Sequence, residues 1–310
     1  MKSDAHAAGV EPVSATSAQV APSARWLDYW ALTKPRLNLL VLMTTLGGLY
    51  LAEPGGVALT LVAHTMVGTA LVAGGAAALN QVWERDTDRL MRRTRMRPLP
   101  SGRLFVTEGT WFGVLLAAAG LLELATNVNI TSAWVAAVTL ISYVFFYTPL
   151  KTRTSLSTLV GAVPGALPPV IGWTAATGRI SLPAVVLFGI VFFWQMPHFL
   201  AIAWMYRDDY ARAGIPLLPV LEPDGRRTGQ QALQYALALG PVSLMPVLVG
   251  LAGAPYATAA VLLGVAMVWV TASFARDRSV AKARRLFLFS ILYLAILWTC
   301  LVIDRVWWTG

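Results

Sequence analysis

The sequence predicts an all-α integral membrane protein of nine transmembrane helices, and three observations carry that prediction. First, 57% of the 310 residues are hydrophobic and only 13% are charged, about half the roughly 25% of a soluble domain. Second, nine stretches reach the length of about 20 mostly apolar residues that a bilayer-crossing helix needs: 38–53, 57–79, 107–126, 130–149, 157–177, 181–205, 231–253, 256–275 and 286–304. Third, the segments between those stretches alternate between rich and poor in basic residues, which gathers nearly all Lys and Arg on one side of the membrane.

Orientation follows from that alternation. With the N-terminus in the cytoplasm, the inner segments hold Lys2, Arg25, Lys34 and Arg36, then the run Arg85 to Arg103. They continue with Lys151 and Arg153, then Arg207, Arg212, Arg226 and Arg227, and finally the group from Arg276 to Arg285. Of the 24 Lys and Arg residues only Arg179 and Arg305 fall on the outer side. Losing one span would destroy this pattern. The net charge of +9 is therefore topological, and no nucleic-acid partner is expected. The C-terminus then lies outside, with Trp307 and Trp308 as an interfacial anchor.

The remaining elements are read in chain order. Residues 1–25 lack the continuous apolar core of a secretory signal and carry Asp4 and Glu11 without an Arg before Arg25, which also makes a poor mitochondrial presequence. They read as a disordered cytoplasmic tail before a membrane domain at 26–310, in a bacterial inner membrane. The fifth span is interrupted by Pro164, Pro168 and Pro169, which a membrane helix tolerates where neighbours re-satisfy the backbone. The one cysteine, Cys300, excludes an internal disulfide and a cysteine-based metal site.

Polar residues collect at the cytoplasmic helix ends. The second span runs into Asn80, Glu84 and Asp88, which in a continuing helix share one face within about 80°. Carboxylates so close to the hydrocarbon are costly and point to function. Aligned acids suit Mg²⁺, which keeps positions for water or phosphate oxygens, and arginines such as Arg93 and Arg97 suit the remaining phosphate charge. The bland alternative is a solvated loop of Asp–Arg pairs. Asp86 points to another face, so pairing with an arginine is its expected fate.

A second cluster follows the sixth span on the same side: Trp194-Gln-Met-Pro197-His198-Phe199, then Arg207-Asp208-Asp209-Tyr210. Two acidic ends on one face could close over a single diphosphate. His198 reads equally as a packing residue or as a contact to a bound group. Tyr143, Tyr147 and Lys151 share a face by their spacing of four. They read either as an interfacial belt with a snorkelling lysine, or as a site with Lys151 and Arg153 on diphosphate and the rings on an allylic cation.

The string Asn80-x3-Glu84-x3-Asp88-x2-Met91-x-Arg93-Thr94-x2-Arg97-Pro98-Leu99 resembles the UbiA superfamily of intramembrane prenyltransferases, in the branch that acts on haem. The Trp194–Phe199 segment, Asp209-Tyr-x-x-Ala-Gly-Ile-Pro216, Tyr147-Thr-Pro-Leu-Lys151-x-Arg153 and the Gly-Pro-rich fifth span are similar to the same branch. The resemblance implies a bundle around a central cavity open to lipid, with Glu84, Asp88 and Asp209 as Mg²⁺ ligands. It implies transfer of a farnesyl group from farnesyl diphosphate to a vinyl group of haem b, with water adding a hydroxyl. Asn80 and Lys151 would act with the metal ligands, while Arg93, Arg97, Arg153, Tyr143, Tyr147, Asp208 and His198 would contact substrates, His198 meeting the porphyrin at its iron or at a propionate. A haem-handling membrane partner is a further expectation of such a reaction. Two departures stand out: the usual Asp-x3-Asp spacing is replaced by adjacent Asp208 and Asp209, and Ser157 stands where the branch has Asn. The rival readings are a sister enzyme acting on a quinone precursor and, from another class, a transporter. Transporters hold their charges near the midplane, whereas these acids sit at one face.

Overall fold

Apolar length and small-residue spacing decide how this chain packs. The computed structural model describes residues 22–53 and 55–308, and no strand occurs among them. Residues 1–21 of the expected tail lie outside the described residues, as do the side chains of Trp307 and Trp308.

The chain is helical from Pro22. Helix α1 (Pro22–Leu32) leads through Lys34 into α2 (Pro35–Ala52). Then come α3 (Leu59–Trp83), the short α4 (Arg85–Leu90), α5 (Val106–Asn127) and α6 (Ile130–Ile141). A π-helical turn, Ser142–Tyr147, joins α6 to α7 (Thr148–Leu150). The broken span is α8 (Ser157–Ala166) plus α9 (Pro168–Thr177), followed by α10 (Leu182–Met205). Two short helices, α11 (Arg207–Arg212) and α12 (Leu218–Leu221), precede α13 (Arg226–Leu248), α14 (Ala254–Arg276) and α15 (Val280–Trp308).

Among the described residues, eight helical stretches are long and apolar enough to cross a membrane. Each coincides with an expected span from the second to the ninth. The first expected span is α2, which is not among the eight: it has 18 residues and opens on the polar Pro35-Arg36-Leu-Asn38.

Close helix approach replaces side-chain bulk at the seams, as in membrane bundles generally. A Cβ on Gly172 of α9 would sit 1.8 Å from the Thr45 carbonyl oxygen of α2, and one on Gly48 2.1 Å from the Pro169 carbonyl oxygen. The same kind of approach joins α3 to α5, where a Cβ on Gly75 would meet the Gly113 oxygen at 2.6 Å. The fifth span breaks at Leu167 because Pro168 and Pro169 lack the N–H that would continue α8, and Pro168 instead opens α9 at its first turn. Pro164 stays inside α8.

Two segments at the same end of the bundle meet. Met91, after α4, packs with Tyr210, Ala213, Ile215 and Leu217 of the loop after α10. That small cluster brings the two acidic regions together.

Candidate active site

Helix geometry stacks the first cluster. The α3 ladder ends at Trp83, yet the Asp88 amide still donates to the Glu84 carbonyl at 2.8 Å, so Asn80, Glu84 and Asp88 keep one face. All three are buried, Asp88 completely. Asp86 projects the other way, with its side chain 74% exposed and ion-paired to Arg85 and Arg89. The Arg85 hydrogen bond holds its carboxyl below the ordinary value.

Each member of the buried column faces a base. Lys34 Nζ donates to Asn80 Oδ1 at 2.7 Å, Lys151 Nζ to Glu84 Oε1 at 2.8 Å, and Arg97 Nη1 to Asp88 Oδ2 at 2.7 Å. Asn80 Nδ2 donates to Thr148 Oγ1 at 3.1 Å. Burial alone would raise the Glu84 carboxyl, but the Lys151 and Lys34 charges outweigh it and hold the group below its usual range. Burial would lower Lys151, and the adjacent Glu84 carboxylate overrides it, so Lys151 rises. Lys34 has no such partner. Burial, then the Arg97 charge, push it down to about 8.

Lys34 is the residue that sequence reasoning missed. It alone among the described non-glycine residues has a positive φ, 49°, a conformation that a β-carbon disfavours. The backbone on either side is pinned: Gln81 Nε2 donates to the Leu32 carbonyl at 2.7 Å and Asn38 Nδ2 to the Thr33 carbonyl at 2.6 Å. The bend turns an ammonium inward at the start of α2. The available signal was a lysine directly before Pro35 at a membrane helix start.

The π turn explains the tyrosines. Pro149 cannot donate to the Phe145 carbonyl, and the Thr148 amide reaches back to the Tyr143 carbonyl, five residues away. Such turns recur at functional sites. The Tyr143 and Tyr147 rings stack at 5.4 Å and 27°. A Cβ on Gly161 would lie 2.5 Å from the Tyr147 ring, so this glycine makes room for the ring. Arg153 is exposed, and no side-chain hydrogen bond or ion pair ties it to another described residue; it is not drawn into the column.

The second cluster approaches from the other loop. Arg93 Nη2 donates to the Tyr210 hydroxyl at 3.3 Å, and its guanidinium lies 4.8 Å from the Tyr206 ring centroid. Tyr210 is near enough to act on the Lys151 charge. The adjacent aspartates separate cleanly: Asp208 has its side chain 85% exposed, whereas Asp209, at 12%, is held by Arg212.

Deeper in α10, His198 stacks on Trp194 at 5.1 Å and tilts against Phe287 of α15 at 4.9 Å. Its Nδ1 meets Ser290 Oγ at 2.7 Å. Ser157 is fully buried, and its hydroxyl finds no partner among the described residues.

Whether these residues suit a hard cation can be tested on the donors themselves. Among the described residues no three acids or histidines converge into a ready-made cluster. However, Asp88 Oδ1 is buried without any partner, a costly arrangement unless something completes it. A carboxylate column with one unpartnered buried oxygen, beside a lysine, Lys34, that no described carboxylate neutralises, fits an ion that shares its coordination with substrate phosphates.

The family model of the UbiA prenyltransferase family matches residues 41–297. A protoheme IX farnesyltransferase of Solibacter usitatus is 47% identical over 90% of this chain and 98% of its own length. Another from Myxococcus xanthus is 46% identical over 90% of this chain and 95% of its own. In fold, the chain is similar to a structure of digeranylgeranylglyceryl phosphate synthase, with TM-score 0.77 and 14% identity over 91% of this chain and 99% of the other. It is also similar to a UbiA homolog from Archaeoglobus fulgidus bound to DMAPP and Mg²⁺, with TM-score 0.65 and 16% identity over 88% and 99%.

Proposed function

We propose a reaction from one premise: this chain belongs to the UbiA prenyltransferase family. It is a membrane prenyltransferase that moves a farnesyl group from farnesyl diphosphate to a vinyl group of haem b, giving haem O. The observation that carries the diphosphate half is the buried column Asn80–Glu84–Asp88, faced by Lys34, Lys151 and Arg97. Relatives at 46–47% identity over nine-tenths of the chain support haem as the acceptor.

Glu84, Asp88 and Asp209 would hold Mg²⁺, the free Asp88 oxygen being the supporting observation. Bound Mg²⁺ supplies positive charge to the diphosphate oxygens. The chain's own residues do the rest. Lys34, Lys151, Arg93 and Arg97 bring charge to the leaving diphosphate, an electrostatic contribution of the kind that usually dominates such chemistry. Lys34 matters most, because it is the half-buried cation beside the column that has no carboxylate partner among the described residues. As the carbon–oxygen bond to diphosphate breaks, the stacked Tyr143 and Tyr147 rings face the allylic cation. The vinyl carbon then forms the new carbon–carbon bond. Water adds to the resulting porphyrin-side cation and releases a proton, which accounts for the hydroxyl. His198 contacts the porphyrin, between Trp194 and Phe287.

The membrane is a bacterial inner membrane, with the N-terminus inside, the C-terminus outside and α2 as the first of nine spans; the one-sided basic residues support this orientation. Haem is delivered through the bilayer or by a haem-handling membrane partner. The deciding experiment gives purified protein haem b, farnesyl diphosphate and Mg²⁺ and identifies the product by mass.

A further inference from the structure

We infer that Ser290, on α15, is a positioning residue that fixes the tautomer of His198 and so leaves Nε2 as the lone-pair nitrogen offered to the haem iron. The inference rests on the reading above in which His198 meets the porphyrin, and it selects between the two contacts that reading leaves open.

The protons on Ser290 and His198 decide the tautomer. Ser290 Oγ carries one hydrogen and donates it to the Phe287 carbonyl at 2.7 Å. A carbonyl can only accept, so this direction is fixed. The same Oγ lies 2.7 Å from His198 Nδ1. With its hydrogen committed, the hydroxyl offers that nitrogen only a lone pair. Nδ1 must then carry the N–H, and Nε2 must carry the lone pair in the neutral ring. Among the described residues nothing bonds Nε2. A histidine set this way accepts, or ligates a metal, and cannot donate to a propionate from Nε2. Metal-bound histidines characteristically have their other N–H held by such an outer acceptor.

The surroundings hold both partners still. Trp194 Nε1 donates to the Ser290 carbonyl at 2.5 Å, so one α10 residue stacks on the imidazole and also clamps the serine backbone. Phe287 gives the bonded carbonyl and packs its ring on the same imidazole at 4.9 Å. The set Trp194–His198–Phe287–Ser290 ties α10 to α15 and spends its polar groups on aiming one nitrogen. Nothing in the diphosphate chemistry requires it.

The chain has three histidines, so ¹⁵N-histidine labelling gives a resolvable spectrum, with the His198 signal assigned by its loss in His198→Ala. In the haem-free wild type it should report N–H at Nδ1. Ser290→Ala should shift it toward N–H at Nε2, and Ser290→Thr should restore the wild-type pattern. Titration with ferric haem b should show about a tenfold loss of affinity in Ser290→Ala, with an altered Soret band, rescue by Ser290→Thr, and no change in farnesyl diphosphate binding. An Nε2–H signal in the wild type, or one unmoved by Ser290→Ala, overturns the inference while leaving the haem reaction standing. A haem titration indifferent to His198→Ala also overturns it, because Nε2 then meets no iron. Failure of the haem reaction itself would show instead in the product assay.

Discussion

Lys34 places its ammonium nitrogen 2.7 Å from the amide oxygen of Asn80, and among the described residues no carboxylate pairs with it. A half-buried cation beside a neutral amide is held in readiness for an anion. Lys34→Met should weaken farnesyl diphosphate binding about tenfold to a hundredfold, the range for a charged hydrogen bond of about 1.5–3 kcal/mol. The wild-type affinity should also fall as pH rises through about 8, where the free protein loses this proton, and Lys34→Met should flatten that fall. The stability sign runs the other way. The folded value lies below the ordinary one, so the unfolded chain binds the proton more tightly and stability rises with pH from about 8 to the ordinary lysine range. An affinity indifferent to the methionine substitution removes Lys34 from the site.

Glu84→Ala and Asp88→Ala should each abolish turnover while insertion and haem binding persist, and Asn80→Ala should do the same. Chelating Mg²⁺ should stop the wild type reversibly. Asp86→Ala should be mild, since that side chain is exposed and pairs only with Arg85 and Arg89. Near-normal rates in both Glu84→Ala and Asp88→Ala mean the metal site lies elsewhere.

These residues also show what is legible in a sequence and what is not. The column is legible because helical phase is short-range: a spacing of four puts Asn80, Glu84 and Asp88 together whatever the tertiary fold. The opposite phase of Asp86 follows from the same rule. The role of Lys34 is not legible, because it depends on a left-handed backbone turn. That turn is pinned by Gln81, which bonds the Leu32 carbonyl from 49 positions away, and no sequence pattern links the two. Ser290 escapes for a similar reason, since it meets His198 across two helices, 92 residues apart. The first expected span covers apolar residues 38–53, whereas its helix begins at the polar Pro35-Arg36, which is why it falls short on composition.

Topology turns on that helix. Reporters at Arg103, Arg153, Arg226 and Lys282 should read cytoplasmic, and those at Asn127, Arg179 and Ala254 outside. A reporter before α1 tests α2 itself: with nine spans it reads cytoplasmic, with eight it reads outside. An outside reading there would return α2 to a non-spanning role.

Glycine positions test the packing of α2 on α9. Gly172→Ala must push the Thr45 carbonyl aside, since its Cβ would sit 1.8 Å from that oxygen. A loss of about 1–3 kcal/mol is expected, as for other overpacked sites, read as a lower thermal midpoint in detergent. Gly240→Ala, inside α13 with nothing within 4 Å of its Cβ, should be neutral or slightly stabilising. Equal effects at both sites would mean the α2–α9 seam is looser than described.

Acceptor choice is where the reading is most exposed, because diphosphate chemistry needs only the acids and bases that every related prenyltransferase would share. What separates haem from a phenolic acid is what lies beyond those acids and bases. A porphyrin needs broad apolar contact, and on α10 and α15 the His198 ring packs against those of Trp194 and Phe287. Its two propionates need basic groups at a rim, and the arginines beside the acidic column are of the type that binds carboxylates. A hydroxybenzoate needs a smaller pocket and one carboxylate partner, and would gain nothing from an aimed imidazole. Incubation with Mg²⁺, farnesyl diphosphate and an equal mixture of haem b and hydroxybenzoate should therefore give hydroxyethylfarnesyl haem alone. Trp194→Ala should lower the rate with haem through its KM, since it removes both the stacking surface and the clamp on Ser290, while leaving farnesyl diphosphate affinity unchanged. Prenylated benzoate beside unmodified haem would move the chain to a sister branch of the family and leave the diphosphate site as described.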